Sequence, residues 1–154
     1  MTLTLPAEAQ ILITREFDAP ARHVFRAYTT PELVMRWWAG RRGVMRSAEI
    51  DLRVGGEWRW VMDAHSGHEV GFHGVYREIV PDQRLVYTEV YEGAPDAGAL
   101  VTVTFAVRDG RTTLSILMDL PSRQVRDAIV SSGMEDGARE GFELLEQVAR
   151  ELAV

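Results

Sequence analysis

From Val44 to Met118 the sequence reads as six consecutive strands joined by turn residues, with no stretch of helical period between them. Such a run leaves no room for crossover helices, so the strands pair antiparallel and the class is α+β, not a doubly wound parallel sheet. An antiparallel sheet buries one face. The only later segment long enough to cover it, at about 1.5 Å per residue, is Met134 to Leu152. Along that segment Met134, Gly137, Ala138, Gly141, Phe142, Leu145, Val148, Ala149 and Leu152 recur at three- and four-residue steps and make one apolar stripe, while the opposite face is acidic. Gly137 and Gly141 present bare backbone on the stripe. They fit either a close helix-to-sheet contact or a gap for a ligand.

Upstream, Gln10 to Asp18 alternates with a period of two and forms a first strand, ended by Pro20. Val24, Phe25, Ala27 and Tyr28 then lie on one side of a short helix from Ala21. Thr30 and Pro31 suit the cap and first turn of a second, Glu32 to Trp38. The remaining strands span Val44–Val54, Glu57–Met62, Val70–Val80, Arg84–Tyr91, Val101–Val107 and Thr112–Met118. Gly55-Gly56, Pro81-Asp82 and Asp109-Gly110 form the tight turns, and His65 to His68 a hairpin tip. On the strand over residues 71–79, Phe72, Gly74 and Tyr76 compete with Val75 and Ile79 for the inward face. A short polar helix runs from Pro121-Ser122 to about Val130. The expectation is one domain over residues 1–154, with about seven strands wrapped around a long carboxyl-terminal helix.

A chain of 154 residues buries roughly 68–70% of its unfolded surface, enough for a core without disulfides. It contains no Cys, and all 17 basic residues are Arg. Thiolate chemistry, zinc-cysteine sites, iron-sulfur clusters, lysine Schiff bases and the P-loop are thereby excluded. No Gly-x-Ser-x-Gly elbow and no dinucleotide-binding glycine pattern occurs, and no cofactor is implied. Asp63, His65, His68 and His73 are candidate metal ligands, the first three at one hairpin tip, but tip residues splay and a catalytic zinc needs three rigidly held ligands. A net charge of -6 argues against nucleic acid as a partner. Arg41, Arg42 and Arg46 form a small basic patch that either meets an acidic ligand group or is simply solvated. No run of 18 apolar residues spans a membrane, and the amino terminus lacks a signal-peptide pattern, so the expected location is cytoplasmic.

The runs Arg15-Glu-Phe-Asp-Ala-Pro, Val24-Phe25, Thr30-Pro31-Glu32-Leu33 and Arg36-Trp37-Trp38 resemble the START-like SRPBCC superfamily. More narrowly, they resemble its branch similar to the activator of the ninety-kilodalton heat-shock chaperone's ATPase. Asp51-Leu-Arg-Val-Gly-Gly-Glu-Trp-Arg, Gly74-Val-Tyr-Arg-Glu-Ile-Val-Pro, Arg84-Leu-Val-Tyr-Thr and Ser132-Gly-Met-Glu-Asp-Gly extend the likeness over residues 11–153. The resemblance implies a helix-grip fold, in which a curved antiparallel sheet holds the last helix around an apolar tunnel. It does not imply one activity. In the family pattern an aromatic residue tends to follow the Tyr87-Thr88 pair; here Glu89 stands there. It shares a face with Tyr87, and is either a buried carboxylate with a raised pKa or a strand-end group reaching solvent or an Arg.

The leading functional expectation is a small hydrophobic or aromatic ligand between sheet and helix. It would be lined by Trp38, Trp58, Trp60, Phe72, Tyr76, Tyr87, Glu89, Phe105, Met118, Met134 and Phe142, most of which would be core in any case. Tyr76, Tyr87, Glu89 or Arg59 would orient the ligand. The alternative is a non-covalent acid/base enzyme, cyclase- or hydrolase-like, using Glu89, His73, Asp119 or a Tyr in the same cavity. A third is a chaperone-interacting module, and an exposed strand edge or aromatic patch leaves room for a homodimer.

Overall fold

The computed structural model describes residues 1–152, so Ala153, the last residue of the sequence resemblance, lies outside it. In chain order the elements are β1 (Thr2–Thr4), β2 (Gln10–Phe17), α1 (Ala21–Thr29), α2 (Pro31–Val34), β3 (Gly43–Ile50), β4 (Glu57–Ala64), β5 (Glu69–Val80), β6 (Arg84–Tyr91), β7 (Ala99–Arg108), β8 (Arg111–Asp119), α3 (Arg123–Ser131) and α4 (Met134–Glu151). One antiparallel sheet of eight strands runs in the order β1-β2-β8-β7-β6-β5-β4-β3. It is curved and unclosed, with β1 and β3 at its edges. The expected α+β helix-grip architecture is therefore the observed one, with one strand more than the seven read from the pattern. The extra strand, β1, is three residues long and pairs Leu3 with Ile13.

Two boundaries differ from expectation. β3 ends at Ile50, because residues 51–56 fold back on themselves: the Gly56 amide donates to the Arg53 carbonyl and the Gly55 amide to Tyr76. A side chain at Gly56 would collide with the Asp51 carbonyl. The helix expected over Glu32–Trp38 is only Pro31–Val34, and the chain then turns toward Gly40, which sits at φ +59°. Trp37 is nonetheless buried, its indole N–H donating to the Ala27 carbonyl at 2.9 Å. The tight turns behave as read, with Asp82, Asp109 and Gly110 all at positive φ.

The competition for the inward face of β5 is resolved by a bulge. Tyr76 pairs with Tyr87, but the register then slips so that Ile79 pairs with Leu85. One extra residue flips the alternation, so Phe72 and Tyr76 before the bulge and Ile79 after it all pack on the core.

α4 buries Gly141, Phe142, Leu145, Val148 and Ala149 and lies mainly against α1. Phe142 wedges between Phe17 and Trp37, with ring centroids 6.1 and 6.4 Å away. The two stripe glycines serve contact: a Cβ at Gly141 would meet the Trp37 carbonyl at 3.5 Å, and one at Gly137 the Arg42 guanidinium at 3.2 Å. The acidic face is not free. Glu135, Glu140, Glu143, Glu146 and Glu151 pair with Arg139, Arg42, Arg41, Arg15 and Arg36. The basic patch is used within the chain in the same way, since Arg46 bridges Asp63 and Glu69.

Candidate ligand-binding site

All thirteen aromatic rings of the sequence join one contact network, with centroids 5.2–6.4 Å apart. It runs from Phe17 and Phe142, on β2 and α4, across the interior through Trp37 and Tyr28, and reaches the half-buried rim formed by Trp38, Phe72 and the exposed Tyr91. Strand alternation puts these rings on one face. Trp58 and Trp60 face inward from β4, Phe72 and Tyr76 from β5, and Tyr87 from β6.

Polar groups are few and concentrated. The hydroxyls of Tyr28 and Tyr87 meet at 2.9 Å, and neither has a second partner among the described residues. Burial drives both phenols upward in pKa, and Tyr76 likewise. Glu89 stands two residues along β6 from Tyr87 on the same face and opposite Ala99 of β7. It is half-buried, and its carboxyl is pushed up to about 7 by desolvation alone, with no ion pair or hydrogen bond from the described residues to hold the charge. Of the two readings left open by the sequence, the structure gives neither in full: the side chain is partly covered and keeps some access to solvent. No Arg reaches Glu89.

Beside it the β5/β6 ladder opens. Val75 donates its amide to the Thr88 hydroxyl at 2.9 Å, and the Thr88 carbonyl accepts from the Trp58 indole at 3.2 Å. Gly74 permits this arrangement, because any Cβ there would strike the Thr88 carbonyl oxygen. The indole N–H of Trp60, by contrast, is buried and meets no acceptor.

Trp38, Trp58, Trp60, Phe72, Tyr76, Tyr87 and Glu89 thus gather at one end of the interior. Phe105 joins them through Tyr28, at 6.2 Å. Met118 is buried between Ile11 and Val101, Met134 packs against the core from the first turn of α4, and Phe142 lies toward the far end of the network, beside Phe17. Tyr28 was missed as a site residue, although its place in the apolar stripe of α1 with Val24 and Phe25 was visible. Arg59 and His73 lie on the outer face of the sheet instead. Arg59 holds Glu92 through two hydrogen bonds of 2.8 Å, and His73 Nδ1 lies 2.8 Å from the same carboxylate. These partners keep the Glu92 carboxyl down to about 2. Asp119 accepts from Gln10 where β2 begins and β8 ends. None of the three can reach a ligand beside Glu89.

In the described conformation side chains from both layers fill the space between sheet and helices. Two surface depressions lie elsewhere. One, of about 450 Å³, is lined by Glu49, Asp51, Arg53 and Glu57; the other, of about 220 Å³, by Met35, Arg36, Gly43 and Met45. Neither includes any of the eleven residues expected to contact a ligand. No group of three or more His, Asp or Glu among the described residues converges for a metal. No helix among them is long and apolar enough to cross a membrane.

A curved antiparallel sheet closing on a carboxyl-terminal helix, with an aromatic interior and a few polar groups at one end, defines a START-like helix-grip protein. Residues 18–150 match the model of the Activator of Hsp90 ATPase homolog 1-like protein family, and the chain belongs to that family. Among solved structures, a protein of Rhodobacter sphaeroides superposes with a TM-score of 0.90 at 25% identity, covering 98% of each chain. One from Nitrosomonas europaea gives 0.86 at 22% identity, over 97% of this chain and 99% of its own. One from Chromobacterium violaceum gives 0.80 at 27%, over 93% and 98%. No curated protein matches the chain.

Proposed function

We propose that the chain binds a small hydrophobic or aromatic molecule over the concave face of the sheet, among Trp58, Trp60, Phe72, Tyr76, Tyr87 and Glu89. The observation that carries this reading is Glu89 itself, a carboxyl set among aromatic rings with no protein partner for its charge. A half-buried carboxyl beside so much aromatic surface adds nothing to packing, whereas it could orient a ligand lying over those rings. Apolar lining with a few convergent polar groups is the usual composition of a small-molecule site. Entry past the half-buried Trp38 and Phe72 requires those rings to move aside.

Native mass spectrometry of the purified protein, beside its denatured mass and with solvent extraction of the released fraction, tests the reading. The expected result is a reproducible extra mass of an apolar or aromatic compound. Absence of any extra mass, together with failure of fatty acids and polycyclic aromatics to displace a bound environment-sensitive dye, would overturn it.

One observation favours acid/base catalysis as a second reading. A carboxyl poised near 7 beside the Tyr28–Tyr87 pair has the properties of a general base at neutral pH. Screening of cyclisable and hydratable aromatic compounds would reveal turnover, and wild-type turnover in Glu89→Gln would remove Glu89 from the mechanism. The paired acids of α4 give the chaperone-interaction reading no comparable support.

A further inference from the structure

We propose that the ligand carries a carbonyl-type oxygen at its inner end, and that the buried indole N–H of Trp60 and the spare hydroxyl proton of the Tyr28–Tyr87 pair donate to it. This rests on the ligand-binding reading above and adds the chemical class of the ligand: a conjugated or aromatic ketone, aldehyde or similar acceptor, not a plain hydrocarbon.

Trp60 is only 7% exposed, and its Nε1 is a buried donor without an acceptor. Tyr28, Trp37, Trp38 and Trp58 pack around its ring at 5.3–6.0 Å between centroids. The other interior indoles are served from within the chain: Trp37 donates to Ala27 at 2.9 Å, and Trp58 to Thr88 at 3.2 Å. Tryptophan N–H is a donor only, and leaving it unpaired in an interior is costly.

The phenol pair has the same sign of deficit. When one tyrosine hydroxyl donates to the other at 2.9 Å, the receiving phenol keeps its own proton, and no acceptor among the described residues takes it. Tyr28 and Trp60 are ring neighbours at 6.0 Å, so one ligand lying against both rings could meet both donors. Two donors without acceptors call for an oxygen lone-pair site, and a carbonyl oxygen offers two such pairs in one plane. The flat rings around it suit a planar, conjugated body.

Two probes of equal heavy-atom count separate the outcomes: acetophenone, which has the oxygen, and cumene, which replaces it with a methyl group. Each is titrated into protein carrying ¹⁵N-labelled tryptophan, with the indole peak of Trp60 assigned from Trp60→Phe. The Trp37 and Trp58 indoles, already bonded, act as internal references. Acetophenone is expected to move the Trp60 proton downfield and to bind at least about fivefold, and up to about a hundredfold, more tightly than cumene, the range of two added hydrogen bonds. Binding of both probes with equal affinity and no downfield shift at Trp60 would overturn the acceptor assignment and leave the ligand-binding reading intact. Binding of neither up to its solubility limit would overturn both. The wild-type spectra carry the test by themselves if Trp60→Phe fails to fold, since the shifted indole is then identified by its contacts with Trp38 and Trp58.

Discussion

The hydroxyl of Tyr28, on the first helix, lies 2.9 Å from that of Tyr87, at the centre of the sheet, and the bond joins the two layers inside the core. Removing one hydroxyl leaves the other buried without its partner, which costs about 1–3 kcal/mol, whereas removing both leaves two apolar rings of nearly unchanged shape. Tyr28→Phe and Tyr87→Phe are each expected to destabilise by that amount, and the double variant by clearly less than the sum. Urea denaturation of all four proteins completes the cycle. Strict additivity would mean that the two hydroxyls are satisfied separately.

Glu89 makes stability depend on pH in a direction unusual for a carboxylate. Desolvation raises its folded-state pKa from 4.5 to about 7. Below about pH 4.5 the group is protonated whether the chain is folded or not, and no penalty arises. Between 4.5 and 7 the unfolded chain releases the proton and the folded one retains it, so stability falls as pH rises and then levels off, by up to about 3 kcal/mol. Tyr28 and Tyr87, the titratable groups that its charge touches, stay neutral throughout. Glu92, held near 2 by Arg59 and His73, stays charged in the folded chain, and its small opposing slope at the acid end of the window fades above about pH 5.5 as the unfolded carboxyl ionises. Glu89→Gln is expected to flatten the difference between urea midpoints at pH 5 and pH 8 and to raise stability at the higher pH. An unchanged difference would place the titration elsewhere.

Gly74 is the position where an added methyl group should do the most harm. An alanine Cβ would fall on the Thr88 carbonyl oxygen and within 2.8 Å of the Trp58 indole nitrogen, displacing the donor that satisfies that carbonyl. Gly74→Ala is therefore expected to cost about 3 kcal/mol or more. It should also shift the Trp58 indole resonance. A stable variant with that resonance unmoved would show that the strands can separate there without loss.

The architecture was legible because it rests on periodicity: alternation along most of six consecutive strands and a three- and four-residue stripe over the last helix leave one way to bury both faces. What the periodicity does not encode was missed. β1 is three residues with no repeat of its own and exists only because Thr2–Thr4 finds the free edge of β2. The inward face of β5 could not be read from alternation, since the bulge between Tyr76 and Glu78 changes the phase midway. In the site, the ring-bearing residues were visible by type, and the substitution of Glu89 into an aromatic stretch stood out. The contact of Tyr28 with Tyr87 joins residues 59 apart in sequence. The unpartnered nitrogen of Trp60 exists only once every neighbouring side chain has been placed.

The two glycines on the inner stripe of the last helix should respond differently to alanine. Glycine in a helix interior costs up to about 1 kcal/mol relative to alanine, so any site with room for a methyl group should gain stability when filled. At Gly141 the new Cβ would sit 3.5 Å from the Trp37 carbonyl oxygen and 3.9 Å from its ring, ordinary contact distances. At Gly137 it would lie 3.2 Å from the Arg42 guanidinium, which must then shift and weaken its 2.9 Å hydrogen bond to the Gly133 carbonyl at the start of α4. Gly141→Ala is expected to raise the urea midpoint by the larger share of that 1 kcal/mol, and Gly137→Ala to gain less or nothing. Because Gly141 touches Trp37 and Trp38, its alanine variant also reports on the rim of the proposed site. A loss of stability there would mean that α4 packs closer to the Trp37 carbonyl than the 3.5 Å contact implies. Unchanged or tighter binding of the apolar probes would show that the helix is already at its working distance.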